Sequence, residues 1–254
     1  FSRPIRWVVS LYDNEILDFV FDECDAMISI GKKSKSHRLI KKVIDIDSPD
    51  NYFELMSNNG VLVKREERKE KIKNLINQES QLLDLDPDLS DSLLDELTDL
   101  VEFPHLITGN FDKQFLNLPV EVLSTVMKSH QRYIPLLKKD KTFSKLELSS
   151  EKIISTNFFI ISNGLKESSD IISRGNEKVI KARFSDAKFF VESDIKVSSK
   201  ERNQKLKSVS YLKDMGNVFE RVERIVFIAE MLIKFVDDQS LDSNKIKETA
   251  KYCK

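Results

Sequence analysis

The sequence predicts an α+β fold over residues 1–197, continued by an all-helical segment over 198–254. Three observations carry this. Ile153 to Ser162 contains Phe158, Phe159, Ile160 and Ile161 in succession, the pattern of a strand buried on both faces. Arg174 to Asp194, RGNEKVIKARFSDAKFFVESD, has a helical period instead. Wound at about 100° per residue, it gathers Val179, Ile180, Phe184, Ala187, Phe190 and Val191 on one side. Arg174, Lys178, Lys181 and Lys188 fall within about 80° on the other. After Val197 no strand signal returns, which places a domain boundary near that residue.

The 254 residues are long enough for a full core. Forty-one Lys and Arg against 42 Asp and Glu leave a net charge of −1, so any nucleic-acid contact must come from local patches. Six Gly and six Pro exclude a linker-rich or low-complexity chain. Cys24 and Cys253 form no CxxC spacing; a reducing compartment fits better than a disulfide scaffold. Apolar runs are too short to span a bilayer, and no signal peptide is visible. The opening at Phe1 and the stop at Lys254, inside a helical pattern, read as an internal fragment of a longer polypeptide.

In chain order, residues 1–21 read as two strands: Ile5, Trp7, Val8, Val9, Leu11 and Tyr12 are β-formers, and Asp13-Asn14 turns the chain before Ile16 to Phe21. Trp7 reads as a packing aromatic. Gly31 to His37 is a basic loop without phosphate-loop spacing. His37 there can meet a phosphate or satisfy a loop carbonyl. Leu39 to Ile46 alternates as a strand. Ser48 and Pro49 open a short helix that Asn58-Asn59-Gly60 closes. Val61 to Val63 reads as a strand, and Lys64 to Leu85 as a charged, water-facing helix. Asp84 to Glu102 holds eight carboxylates and no Lys or Arg, with Leu89, Leu93, Leu97 and Leu100 as a helical stripe. That spread predicts a solvated acidic face rather than a metal site.

Pro104 ends that helix. His105 to Phe111 reads as a strand, and Pro119 opens a helix with Val120, Leu123, Val126 and Met127 at helical spacing. Lys128, His130, Gln131 and Arg132 end it. Cations there are favoured by the helix dipole; they also suit RNA phosphates or base edges, with Tyr133 available for stacking. Thr142 to Ser150 is loop-like. Gly175 and Asn176 suggest an irregular first turn in the long helix. Beyond Val197 the helices read as Lys200 to Lys213, Val218 to Val236 and Asp242 to Lys254, broken at Met215-Gly216-Asn217. Cys253 reads as a buried small apolar residue.

Several stretches are more specific than their periods. GNEKVIKARFSDAKFF closely resembles a signature of the β subunit of the bacterial-type tetrameric glycyl-tRNA synthetase, with Phe184 where leucine is usual. SRPIRWVVSLYDNEIL, the pair His37-Arg38, the run Leu118, Pro119, Glu121, Val122, Leu123, Met127, Lys128, Gln131, Tyr133 and Pro135, and the segment Gly216 to Ile225 also resemble that family, in its order.

The resemblance implies a mixed-sheet α+β domain over 1–197, similar to the editing-type domain of the phenylalanyl-tRNA synthetase β chain. It implies the start of an HD-like helical domain over 198–254. An HD metal site needs His and His-Asp ligands, and 198–254 contains no histidine, so the likeness is to the fold alone.

The activity implied is glycine–tRNA ligase, forming glycyl-tRNA from ATP, glycine and tRNA(Gly). The adenylation site, with its ATP and Mg²⁺, is then on the separate α subunit. No catalytic residue, metal site or cofactor is expected in this fragment. Its implied partners are the α subunit, tRNA(Gly) and the remainder of the β chain, with no membrane. The cytoplasm is implied, or an organelle such as a plastid. The tRNA-binding candidates are Lys128, His130, Gln131, Arg132, Arg174, Lys178, Lys181 and Arg183. The alternatives are an editing hydrolase acting on mischarged tRNA and a pure subunit-docking scaffold.

Overall fold

The computed structural model describes residues 5–18, 28–139, 150–236 and 242–254. Cys24, most of the loop at 142–150 and the end of the strand expected over 16–21 lie outside them. The fold is α+β, and the chain divides into two compact units, Phe1–Ala187 and Lys188–Lys254. The division falls inside a helix, ten residues before Val197.

The first unit opens with small ladders. β1 (Trp7–Val9), β2 (Leu11–Tyr12) and β3 (Glu15–Ile16) are followed by β4 (Ser29–Gly31), β5 (Lys33–Lys35) and β6 (Val43–Asp45). β1 pairs with β4 in parallel, while β2–β3 and β5–β6 are antiparallel. Asp13 takes the left-handed conformation in the expected turn.

Three expectations are corrected here. Lys33 to Lys35 is strand rather than loop, because Lys33 pairs with Asp45 and Lys35 with Val43. Leu39 and Ile40 sit in a turn that Lys41 leaves at φ 59°, so only Val43–Asp45 of the expected strand forms. Residues 61–63 make no strand; the Leu62 N–H donates to the Glu102 carbonyl instead.

Ser48 caps Pro49–Asn51, as its sequence predicts. α1 (Tyr52–Asn58) ends at Gly60, φ 79°. α2 (Arg65–Leu83) leads into β7 (Leu85–Pro87), a strand the sequence reading missed, and α3 (Asp91–Leu100), capped by Ser90. β8 (His105–Asn110), α4 (Val120–Thr125), a π-helical turn (Val126–Gln131), β9 (Ile134–Lys138), β10 (Ile154–Ser162) and α5 (Ser169–Ile195) complete the first unit and cross into the second.

The main sheet runs β7-β9-β10-β8. β10 is central and antiparallel to both neighbours, which is why its apolar run is continuous. Phe159 and Ile161 point to one face, where they pack with Ile134, Leu136, Ile72, Ile76, Leu93 and Leu97 beneath α2 and α3. Phe158 points to the other. Its ring lies 5.0 Å from Tyr133 and 6.4 Å from Phe111, both stacked. Phe111 and Phe115 in turn lie 5.0 and 5.4 Å from Phe184 of α5. Gly109 pairs with Phe158 across the ladder, and a Cβ at Gly109 would stand 2.6 Å from the Phe158 ring. No other residue fits there without moving that ring.

The second unit holds α6 (Ser199–Lys205), α7 (Val218–Ile233) and α8 (Ser243–Lys251). The helix expected over 200–213 stops early, because Ser210 pairs with Asn217 in an isolated bridge around Asp214 and Gly216, both at positive φ. Gly216 stands at φ 78°, a conformation that favours glycine, at the break the sequence predicts. Ser198–Glu201 and Asn217–Glu220 are capping boxes. Cys253 is exposed past the end of α8, not buried as expected. No helix among the described residues is long and apolar enough to cross a membrane.

Candidate nucleic-acid interface

The candidate residues fall on two elements, and the structure treats them differently. Lys128, His130, Gln131 and Arg132 occupy the π-helical turn and its exit, where each helical turn holds an extra residue. Arg132 leaves it at φ 55°, and the Tyr133 N–H closes back on the Met127 carbonyl, the bond pattern of a helix C-cap.

The acidic run lies against this exit. Lys128 pairs with Asp88, which also accepts from the Ser124 hydroxyl at 3.2 Å. Arg132 Nε donates to Glu96 at 2.7 Å. The same run receives α2: Arg65 reaches Asp99 at 2.8 Å and Asp95 at 2.9 Å, and Lys69 reaches Asp95 at 2.7 Å. The Lys69 and Arg65 hydrogen bonds hold the Asp95 carboxyl below its ordinary value, and Arg65 does the same for Asp99. The acidic face is solvated, as expected: none of its eight carboxylates is buried. What the sequence did not show is that several of them also pair with cations distant in sequence.

Tyr133 is corrected too. It is 4% exposed, so it stacks on Phe158 rather than on a ligand. Its hydroxyl donates to Asn176 Oδ1, and burial pushes its pKa up to about 12.

α5 carries the other candidates. It is continuous from Ser169, so Gly175 and Asn176 lie inside it rather than at an irregular start. Ile180 and Phe184 alone are fully buried on it; Val179 is 42% and Phe190 64% exposed, so the inward stripe is narrower than its period predicted. Polar side chains complete the attachment. Asn176 accepts from Tyr133, Glu177 accepts the Asn110 N–H at 2.9 Å, and the Ser173 hydroxyl donates to the Thr108 carbonyl at 3.3 Å. β8 is an edge strand, so the Glu177 and Ser173 bonds occupy backbone groups that the sheet leaves open. Sequence reasoning missed this use of Asn176 and Glu177. The signal was two polar residues on the buried side of an amphipathic helix.

Arg174, Lys178, Lys181 and Arg183 are all exposed. Arg174 donates to the Asp170 carbonyl in its own helix. Lys178, Lys181 and Arg183 have no ion-pair partner among the described residues. Arg174, Lys178 and Lys181 form one row. Arg183 lies about 180° around from Arg174, on the Asn176 side.

His37 is 2% exposed, which removes it from phosphate reach. It meets no loop carbonyl through its ring either: Nδ1 accepts from the Leu39 N–H at 3.4 Å, and Nε2 stands 3.9 Å from Glu102. Burial lowers the pKa of His105, with nearby Lys71 adding to it. Among the described residues no three His, Cys, Asp or Glu side chains gather to hold a metal ion.

Comparison with known proteins bears on all of this chain. A family model described as the glycyl-tRNA synthetase beta subunit matches residues 1–254. The chain is 38% identical to the glycine–tRNA ligase beta subunit of Trichodesmium erythraeum, covering 100% of this chain and 35% of that protein. It is 34% identical to the one from Listeria welshimeri, covering 97% and 34%, and 32% identical to the one from Synechocystis, covering 100% and 34%. The chain thus spans about a third of the length of the curated relatives it matches. It belongs to the glycyl-tRNA synthetase beta subunit family.

Proposed function

We propose that this chain is the part of a glycine–tRNA ligase β subunit that positions tRNA(Gly) and joins the subunits, in the cytoplasm, while ATP, Mg²⁺ and glycine are handled on the separate α subunit. Residues 1–197 then correspond to an editing-type domain like that of the phenylalanyl-tRNA synthetase β chain. Residues 198–254 correspond to the opening helices of a degenerate HD-like domain, joined to the remainder of the β chain.

The observation that carries the RNA contact is the row Arg174, Lys178 and Lys181. It is exposed, without carboxylate partners among the described residues, on a helix fixed to the sheet by packing and side-chain bonds. A rigid row of cations holds phosphates in register without reading bases. Its chemical contribution is orientation. Fixing the acceptor arm lets the terminal ribose hydroxyl meet the adenylate on the partner subunit, so the encounter becomes effectively intramolecular. Lys128 and Arg132, already paired with Asp88 and Glu96, act as struts; His130 and Gln131 flank them.

The test is a salt titration of tRNA(Gly) binding by the full-length β subunit. Lys178→Ala with Lys181→Ala lowers affinity and flattens the slope of log K against log salt by about 0.7–0.9 per lost contact. An unchanged slope assigns the row to solvation.

A further inference from the structure

Between α6, α7 and the C-terminal end of α8 lies a cleft of about 390 Å³, within the size range of small-ligand pockets. Phe219, Val222 and Val226 of α7 line it with apolar surface, and Val222 is 3% exposed. Of the polar groups around it, Lys251 pairs with Glu248, while several others keep capacity for a ligand. Asn203 is 9% exposed. Its Nδ2 donates to the Lys251 carbonyl, which ties α6 to α8 and leaves Oδ1 without a partner among the described residues. The side chains of Lys200, Gln204 and Glu223, which also line the cleft, are likewise unpartnered among the described residues.

We propose that this cleft receives one unpaired nucleobase of an RNA, an inference that rests on the reading of the chain as a tRNA-handling segment. A base needs an apolar or aromatic surface for its face, and Phe219 with the two valines supplies one. Its edge needs polar partners. Asn203 Oδ1 and the Glu223 carboxylate are both acceptors, so they call for N–H donors on the ligand. The exocyclic amino group of adenine or cytosine carries two N–H donors, and guanine adds N1–H beside its amino group; uracil offers a single N3–H between two carbonyl acceptors, which meets one of the two acceptors and sets its own carbonyls against the other. Gln204 supplies a donor and an acceptor for the rest of the edge. Lys200, unpaired, meets the adjoining phosphate. The cleft therefore selects amino-bearing bases over uracil, a base readout that the α5 row has no means to provide.

The experiment measures fluorescence anisotropy of labelled CCC and UUU trinucleotides with the full-length β subunit. CCC is expected to bind about fivefold or more tighter than UUU, the discrimination of one good base-edge contact. Glu223→Gln, an exposed and shape-preserving change, narrows that ratio. Lys200→Ala, also exposed, lowers the salt slope of CCC binding by about 0.7. Val226→Trp fills the cleft and weakens CCC about tenfold, the scale of one lost base stack. Equal binding of CCC and UUU, or a ratio indifferent to Glu223→Gln, overturns the proposal even if Val226→Trp fails to fold. If the cleft variants have no effect while Lys178→Ala with Lys181→Ala still flattens the tRNA salt slope, the cleft is wrong and the positioning role stands. If the wild-type protein binds neither tRNA nor trinucleotides, both are wrong.

Discussion

The π-helical turn at 126–131 and the helix α5 look alike in sequence, since each ends or runs in a cluster of cations. They differ in what faces them. Lys128 and Arg132 stand opposite Asp88 and Glu96, while Lys178 and Lys181 have no carboxylate within ion-pair reach among the described residues. A cation already paired with a fixed carboxylate has spent its field locally; attraction for a polyanion comes from the unpaired ones. The acidic run at 84–102 is therefore what divides these basic residues into paired and unpaired ones.

The contrast can be broken most severely from beneath. Phe184→Ala empties the site where Phe111 and Phe115 hold α5, and should cost about 3–5 kcal/mol. Hydrogen exchange should show α5 amides losing protection, and tRNA affinity should fall although every cation remains. Lys178→Ala with Lys181→Ala is the clean counterpart: about tenfold weaker tRNA binding at low salt, near 1.4 kcal/mol, with α5 protection intact.

Tyr133→Phe removes the hydroxyl that Asn176 accepts and should cost about 0.5–1.5 kcal/mol. It also changes the alkaline limb of stability. The folded hydroxyl titrates near 12 and the unfolded one near about 10, so the unfolded state loses its proton first. Stability is then full below about pH 10 and falls as pH rises toward 12. Chemical denaturation across that window should show a loss in the wild type that Tyr133→Phe lacks.

Arg65→Ala probes the acidic side. Asp95 and Asp99 are held below their ordinary values, so they add stability above about pH 4, lost as pH falls through the depressed values. The variant should flatten that acid limb. Arg132→Ala should change least: within about 1 kcal/mol in stability, as for an exposed pair, with tRNA affinity unaltered.

The sequence made the architecture legible where one period dominated. β10, α2, α3 and α5 follow from their patterns, as do the cap at Ser48 and the break at Gly216. Short ladders were harder. β5 is polar outside and pairs with β6 through backbone bonds, which leave no mark in composition. β7 carries Pro87 and three residues in all, too few for a period. The candidate cations were legible as residues, but their pairing was not, because Asp88–Lys128 and Glu96–Arg132 join positions 40 and 36 apart. Tyr133 misled for a related reason. A tyrosine beside cations suits an RNA platform or a buried hydroxyl equally, and the partner that decides, Asn176, is 43 residues away.

Gly109 shows how a missing atom can govern a surface some distance from it. Its lack of a side chain lets the Phe158 ring lie flat over the ladder, and that ring seats Tyr133, whose hydroxyl reaches Asn176 on α5. A single methyl at position 109 would lift the whole stack like a pebble under a tile. Alanine there, conservative by every measure of polarity, should tilt the long helix and scatter its charges while touching none of them.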